Sequence, residues 1–99
     1  MNTDLSKPAI SESQETDLRT EVNFSQNLIV WNDDVNTFDW VIKTLVEICG
    51  HTNEQAEQCA YIIHFHGKYA VKNGDYETLT PMCNSICERG ISATIETTA

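Results

Sequence analysis

The run Asn27-Leu28-Ile29-Val30-Trp31, closed by Asn32-Asp33-Asp34, decides how the rest of the chain is read. Its first five residues are mostly β-branched or bulky apolar, and the three that follow favour turns and helix caps, so the segment reads as a strand with its exit loop. Thr37 then stands where a helix cap belongs. Phe38, Val41, Ile42, Leu45, Ile48 and Cys49 recur at helical spacing behind it, with Asp39 in the electropositive first turn and Gly50 as the stop. Thr52-Asn53-Glu54-Gln55 has the form of a capping box, and Ala56, Cys59, Ala60 and Ile63 make one apolar stripe before Gly67. Two helices with so short a link must pack as a hairpin.

Working outward, Tyr69-Ala70-Val71 predicts a short strand, turned by Asn73-Gly74. A third helix carries Leu79, Met82, Cys83 and Ile86 at helical spacing up to Gly90. Pro81 interrupts it, because proline lacks the N–H that an interior position donates. The reading favours a start or irregular first turn at Asp75 over a later start at Thr80. Ile91-Ser92-Ala93-Thr94-Ile95 alternates apolar with small or polar residues and predicts the last strand. The order β-α-α-β-α-β implies an α+β fold of two layers, three helices on a small, three-stranded, mainly antiparallel sheet.

Six Lys and Arg against fifteen Asp and Glu give the 99 residues a formal charge of −9. That excess opposes the phosphate-neutralising surface that nucleic acid requires, and the cations are scattered from Lys7 to Arg89, so nucleic acid is excluded as a partner. Apolar runs reach only about four or five residues, as at Leu28 to Trp31, far short of the ~20 residues of a membrane span. No membrane partner and a cytoplasmic location are expected, as is a monomer. Composition changes near residue 26. Residues 1–25 hold five acids and two bases with only isolated apolar side chains, which predicts a disordered acidic extension before a folded unit over 26–97. Its role is open between a solvated leader and an arm that a partner engages.

Four cysteines, at 49, 59, 83 and 87, form no C-x-x-C pair. Cys83 and Cys87 could join His51, His64 or His66 around a metal, but each cysteine keeps apolar neighbours at helical spacing. They read as small reduced hydrophobes in a core, with no metal or cofactor expected. The same setting disfavours a thiolate nucleophile, and no phosphate-binding glycine loop occurs, so a binding module is favoured over an enzyme.

Three polar clusters remain: Asn32-Asp33-Asp34 at a strand exit, His64 and His66 at a helix end, and Asp75 to Glu77. A strand exit and a helix end can lie side by side in two layers, and His64 borders the apolar stripe. Asn32, Asp33 and a neutral His64 would then put acceptors at the rim of an apolar dimple, which suits an ammonium group attached to a hydrophobic side chain. An amino-terminal residue has both parts. Ordinary turn chemistry for the Asn-Asp-Asp run and a surface role for a helix-end histidine stand as alternatives.

The run Val30-Trp31-Asn32-Asp33-Asp34-Val35-Asn36-Thr37-Phe38-Asp39-Trp40-Val41, the helix end Ile62-Ile63-His64-Phe65-His66-Gly67-Lys68 and the ending Gly90-Ile91-Ser92-Ala93-Thr94-Ile95-Glu96 resemble the ClpS family of N-degron adaptors. The resemblance implies a domain that binds the free amino terminus of proteins beginning with a bulky hydrophobic residue and hands them to a Clp-type AAA+ unfoldase. By that resemblance Asn32, Asp33 and His64 hold the α-ammonium, with Asp34 nearby and Asp33 buried behind the bound group. Asn36, Val41, Ala60, Ile63 and Ile91 form the side-chain pocket, with Phe38 at its mouth. Glu77 matches a position that contacts the unfoldase's amino-terminal domain, and the acidic extension becomes the arm engaged during hand-off. The chain departs from many members at Ala60, where Met is common, at Asn36-Thr37-Phe38, where Thr-Pro-Met is common, and at Pro81-Met82, where a basic residue is common. Ala60 enlarges the pocket and implies better tolerance of β-branched first residues, while Phe38 refills part of the space. The same element order also resembles the carboxy-terminal domain of the ribosomal stalk protein, a non-catalytic interaction domain, although Lys43 is the only cation in the first two helices.

Overall fold

Strand β1 (Gln26–Trp31) lies at the centre of a three-stranded sheet ordered β2-β1-β3, with β2 (Lys68–Gly74) and β3 (Ala93–Thr97) each antiparallel to it. This computed structural model describes residues 26–97; the disorder expected for residues 1–25 lies outside them. Helices α1 (Phe38–Cys49), α2 (Asn53–His66) and α3 (Tyr76–Glu88) complete the order β-α-α-β-α-β. The fold is the α+β, two-layer arrangement that the sequence implied.

Local chemistry explains most boundaries. Thr37 caps α1 by accepting a hydrogen bond from the Trp40 N–H, and Gly50 ends it at φ 75°. Thr52 and Gln55 close a reciprocal capping box on α2. Gly67 ends that helix at φ 92°, a conformation costly for residues with a Cβ. Leu28 and Val30 of β1 are fully buried and meet Leu45 of α1, Ile63 of α2, and Leu79 and Ile86 of α3 in one core. Each such side chain contributes about 1.5–3 kcal/mol relative to exposure. Ile29 points to the opposite face yet is also covered, lying between Ala70 and Thr94 in register.

Two strands depart from the sequence reading. β2 continues past the predicted turn at Asn73-Gly74, because Asn73 and Gly74 still pair with Asn27 and Gln26. A register shift makes this possible: Leu28 pairs with Lys72 and Ile29 with Ala70, leaving Val71 as the extra residue, its side chain in the core. β3 begins at Ala93 rather than Ile91, since the chain must first leave the turn at Gly90, and Ile91 is buried as a loop residue. Cys87 also departs from its expected core position: it is exposed and donates its thiol to the Ala93 carbonyl.

Three ties bring the site together. The Trp31 N–H donates to the Ser92 carbonyl at 3.0 Å and the Asn32 N–H to the Gly67 carbonyl at 2.9 Å, so the end of β1 is fixed both to the approach of β3 and to the end of α2. Trp40 of α1 donates its indole N–H to the Arg89 carbonyl, and Arg89 lies over the Trp40 ring while pairing with Glu47 at 2.8 Å. This anchors the turn after α3, which carries Gly90 and Ile91.

α3 starts at Tyr76 with Asp75 as its cap, so the start at Thr80 is ruled out and Pro81 lies inside the helix. Pro81 cannot donate to the Glu77 carbonyl; one residue earlier the Thr80 hydroxyl donates to the Tyr76 carbonyl. Because an interior proline costs a helix on the order of 3 kcal/mol, partly offset by its restriction of the unfolded chain, Pro81→Ala is expected to stabilise the protein by about 1–3 kcal/mol. Urea unfolding checks this, and an unchanged or lowered midpoint would contradict it.

Candidate functional site

The loop after β1 is built on one carboxylate. Asp33 Oδ1 accepts the backbone N–H groups of Val35 and Asn36, each at 2.9 Å. The Asn36 side-chain amide then bridges Asp33 Oδ1 at 3.1 Å and Oδ2 at 2.9 Å, and donates onward to the Gly90 carbonyl at 2.9 Å. A loop closed in this way cannot move without breaking bonds to a charged acceptor, which are roughly twice as strong as neutral ones. The Asn36 N–H holds the Asp33 carboxyl below its ordinary pKa; partial burial opposes this, and the Asn36 amide and the Val35 N–H add to it.

Around this loop one cavity of about 260 Å³ opens between β1, α1, α2 and the turn after α3. Its lining brings together Asn32, Asp33, Asp34 and His64, the four residues expected at an ammonium, with Asn36, Phe38, Val41, Ala60, Ile63 and Ile91, the six expected around a side chain. Ala60, Ile63 and Ile91 are buried and make the apolar floor. Asn32, Asp34 and His64 are exposed at the rim. Polar rim and apolar floor therefore share one opening.

Three points differ from the sequence reading. Asp33 is half-buried, not buried, and spends most of its accepting capacity on the loop, with three donors on Oδ1 and one on Oδ2. Asn36 ties the loop to Gly90 besides lining the cavity. Trp31 and Thr37 also line it, unforeseen; Trp31 is held by a bond from its indole N–H to the Thr94 hydroxyl and by Lys68 over its ring. The bulk of Trp31 at a strand end was the available sign. Glu77 is not part of this site. It is exposed in the first turn of α3, and the cluster it shares with Asp75 serves as a helix cap.

Phe38 meets two rings of α2 edge-on: Tyr61 at 4.9 Å and His64 at 5.6 Å between centroids. These contacts hold its ring in the wall of the cavity.

A second, more open cavity of about 470 Å³ lies where α2 meets β2, with Cys49, His51 and Cys59 in its wall. Cys59 Sγ is 3.8 Å from His51 Nδ1. Burial pushes the Cys49 thiol up to about 11 and raises Cys59, and burial lowers His51. Burial thus favours the protonated thiols of Cys49 and Cys59, which disfavours a resting thiolate in this cavity.

Against known proteins, the family model described as "ATP-dependent Clp protease adaptor protein ClpS" matches residues 24–94. The chain belongs to the ClpS family. Curated ClpS adapter proteins of two corynebacteria are similar to it: that of Corynebacterium aurimucosum is 26% identical over 96 residues, covering 97% of this chain and 86% of the relative. That of Corynebacterium diphtheriae is 22% identical over 96 residues, covering 97% and 85%. The structure of Agrobacterium tumefaciens ClpS2 bound to L-phenylalaninamide shares the fold, with a TM-score of 0.70 at 15% identity over 76% of this chain and 98% of that one. Membership in ClpS displaces the ribosomal stalk reading. Among the described residues no helix is long and apolar enough to cross a membrane.

The Asn36 side-chain amide both helps to lower the Asp33 pKa and joins the loop to Gly90, so Asn36→Ala, which keeps the backbone N–H, is expected to return the Asp33 titration part of the way toward the ordinary aspartate range, followed by carboxyl ¹³C shifts. Asp33 is depressed in the fold, so its contribution to stability is present above the ordinary aspartate range and lost as pH falls through the lowered value. The variant is expected to lose the part of that contribution that the Asn36 amide supplies; an unshifted Asp33 titration would contradict the assignment.

Proposed function

We propose that this chain is an adaptor that binds the free α-amino group and the bulky hydrophobic first side chain of substrate proteins and delivers them to a Clp AAA+ unfoldase. The observation that carries the reading is the joining of acceptors and apolar floor in one cavity of about 260 Å³. That is just under the roughly 300–1,000 Å³ of sites for drug-sized ligands, a size that suits one side chain and its ammonium group.

In this reading Asn32, His64 and the uncommitted lone pairs of Asp33 Oδ2 accept the three ammonium donors, and Asp34 adds negative potential at the rim. The first side chain enters between Val41, Ala60, Ile63 and Ile91, with Phe38 across the mouth. Burying it contributes about 1.5–3 kcal/mol. Acetylation removes the charge and two donors, and hydrogen bonds to charged groups are each worth about 1.5–3 kcal/mol. Because Asp33 keeps its loop donors and partial solvent contact, acetylation does not strand a buried ion, and the penalty stays near this range. No bond is made or broken, so the role is not enzymatic.

The partner is the amino-terminal domain of the unfoldase, reached through the exposed Glu77 face of α3. Residues 1–25, with five acids and two bases, serve as the arm engaged during hand-off from the folded unit at 26–97. The reading carries with it a cytoplasmic monomer that needs no cofactor.

Fluorescence anisotropy tests it with peptides that begin with free Phe, acetylated Phe, Met or Gly. Free Phe is expected to bind best, by roughly tenfold or more over the acetylated and Gly forms. Equal binding of all four, or of none, would overturn the adaptor reading. With Ala60→Met, binding of an Ile-starting peptide is expected to fall relative to a Leu-starting one; an unchanged or raised ratio would show that Ala60 does not admit β-branched residues.

A further inference from the structure

The aromatic side chains around the cavity do not stop at its mouth. Tyr61, His64 and Phe65 lie at i, i+3 and i+4 on α2, hence on one face. Phe38 abuts Tyr61 and His64, the Tyr61 and Phe65 rings stack at 6.2 Å with 7° between planes, and His64 meets Phe65 edge-on at 5.0 Å. The result is a continuous shelf that starts at the cavity and runs along the outside of the helix. Yet Tyr61 is 48% and Phe65 73% exposed, and neither lines the cavity. Rings this exposed add little to the core, whereas an apolar ligand laid on them would bury fresh surface.

We propose that this shelf is a second subsite, taking an apolar or aromatic side chain from the second or third residue of the same substrate chain. The inference rests on the adaptor reading. A substrate whose first side chain fills the cavity must leave through the mouth at Phe38, and an extended chain advances about 3.3 Å per residue. The Tyr61 ring is 4.9 Å from Phe38, and Phe65 is 6.2 Å from Tyr61 and 5.0 Å from His64, distances that two extended residues span. The shelf is continuous with the proposed binding site through Phe38 and His64. The adaptor would thus read a short sequence, one side chain deeply and a neighbour shallowly.

The test uses the full chain and Phe-starting peptides with Gly, Leu or Trp at position two or three, measured by anisotropy against wild type, Tyr61→Ser and Phe65→Ser. Leu or Trp is expected to improve binding to wild type roughly three- to tenfold over Gly at one of the two positions. Both variants are expected to lose that gain, and Phe65→Ser, which leaves the Tyr61 contact to Phe38 in place, is expected to bind the all-Gly peptide within about twofold of wild type, which separates the shelf from an indirect effect through His64. No gain at either position, a gain that survives both variants, or an equal loss of the all-Gly peptide with Phe65→Ser would overturn the proposal. Sedimentation that shows concentration-dependent self-association, abolished by Phe65→Ser, would assign the shelf to a second copy of the chain instead. An acetylated Phe peptide run alongside keeps the two readings apart: if free and acetylated forms still differ and position dependence is absent, the shelf alone fails.

Discussion

The carboxylate of Asp33 is the constraint on which the site depends. It accepts two backbone N–H groups and both arms of its contact with the Asn36 amide, and that amide carries the tie across to Gly90. The loop and the turn after the third helix are thereby joined through Asn36 and one charged acceptor. The arrangement explains why a domain of this size can keep an opening. A cavity lined by Ala60, Ile63 and Ile91 would tend to close by collapse, but its polar wall is braced and its far wall is anchored through Arg89 and Trp40.

Fixing the loop also limits what Asp33 can give a ligand. A carboxylate wholly free for an ammonium would be a stronger partner, yet it would leave the loop without its organising acceptor. Asp33 Oδ1 is committed to the loop, and the bond from the Asn32 N–H to the Gly67 carbonyl ties the strand exit to the end of the helix that carries the exposed His64. On the proposed reading, selectivity for a charged amino terminus comes from several moderate interactions converging on one point, and selectivity for the side chain from the apolar floor beneath.

Much of this was legible in the sequence because short-range chemistry dictates it. The caps at Thr37 and Thr52, the glycine stops at Gly50 and Gly67, and the apolar spacings in all three helices are local signals, and they led to the right order of elements. Asn32, Asp33 and His64 could be suspected of meeting because a strand exit and a helix end were each marked. What the sequence did not carry was pairing. The extension of β2 through Gly74 depends on its partners in β1 and on the register shift that tucks in Val71, and the late start of β3 depends on the turn at Gly90. Nor did it reveal that Asn36 would spend its amide on Asp33 and Gly90, a contact across 54 positions of the chain. Helix α3 shows the opposite case: Pro81 is a strong local breaker, but the Asp75 cap and the buried Leu79 and Ile86 hold the helix through it.

The central claim is that a braced loop and an apolar floor form one receptor for a charged amino terminus. Backbone amide shifts of the full chain titrated with L-phenylalaninamide, and separately with its N-acetyl form, test it most directly. The free amine is expected to move the amides of residues 32–38, 60–64 and 90–91, and the acetylated form to move them far less at the same concentration. Shifts centred on the second cavity near His51 and Cys59, or equal shifts with both compounds, would contradict the account.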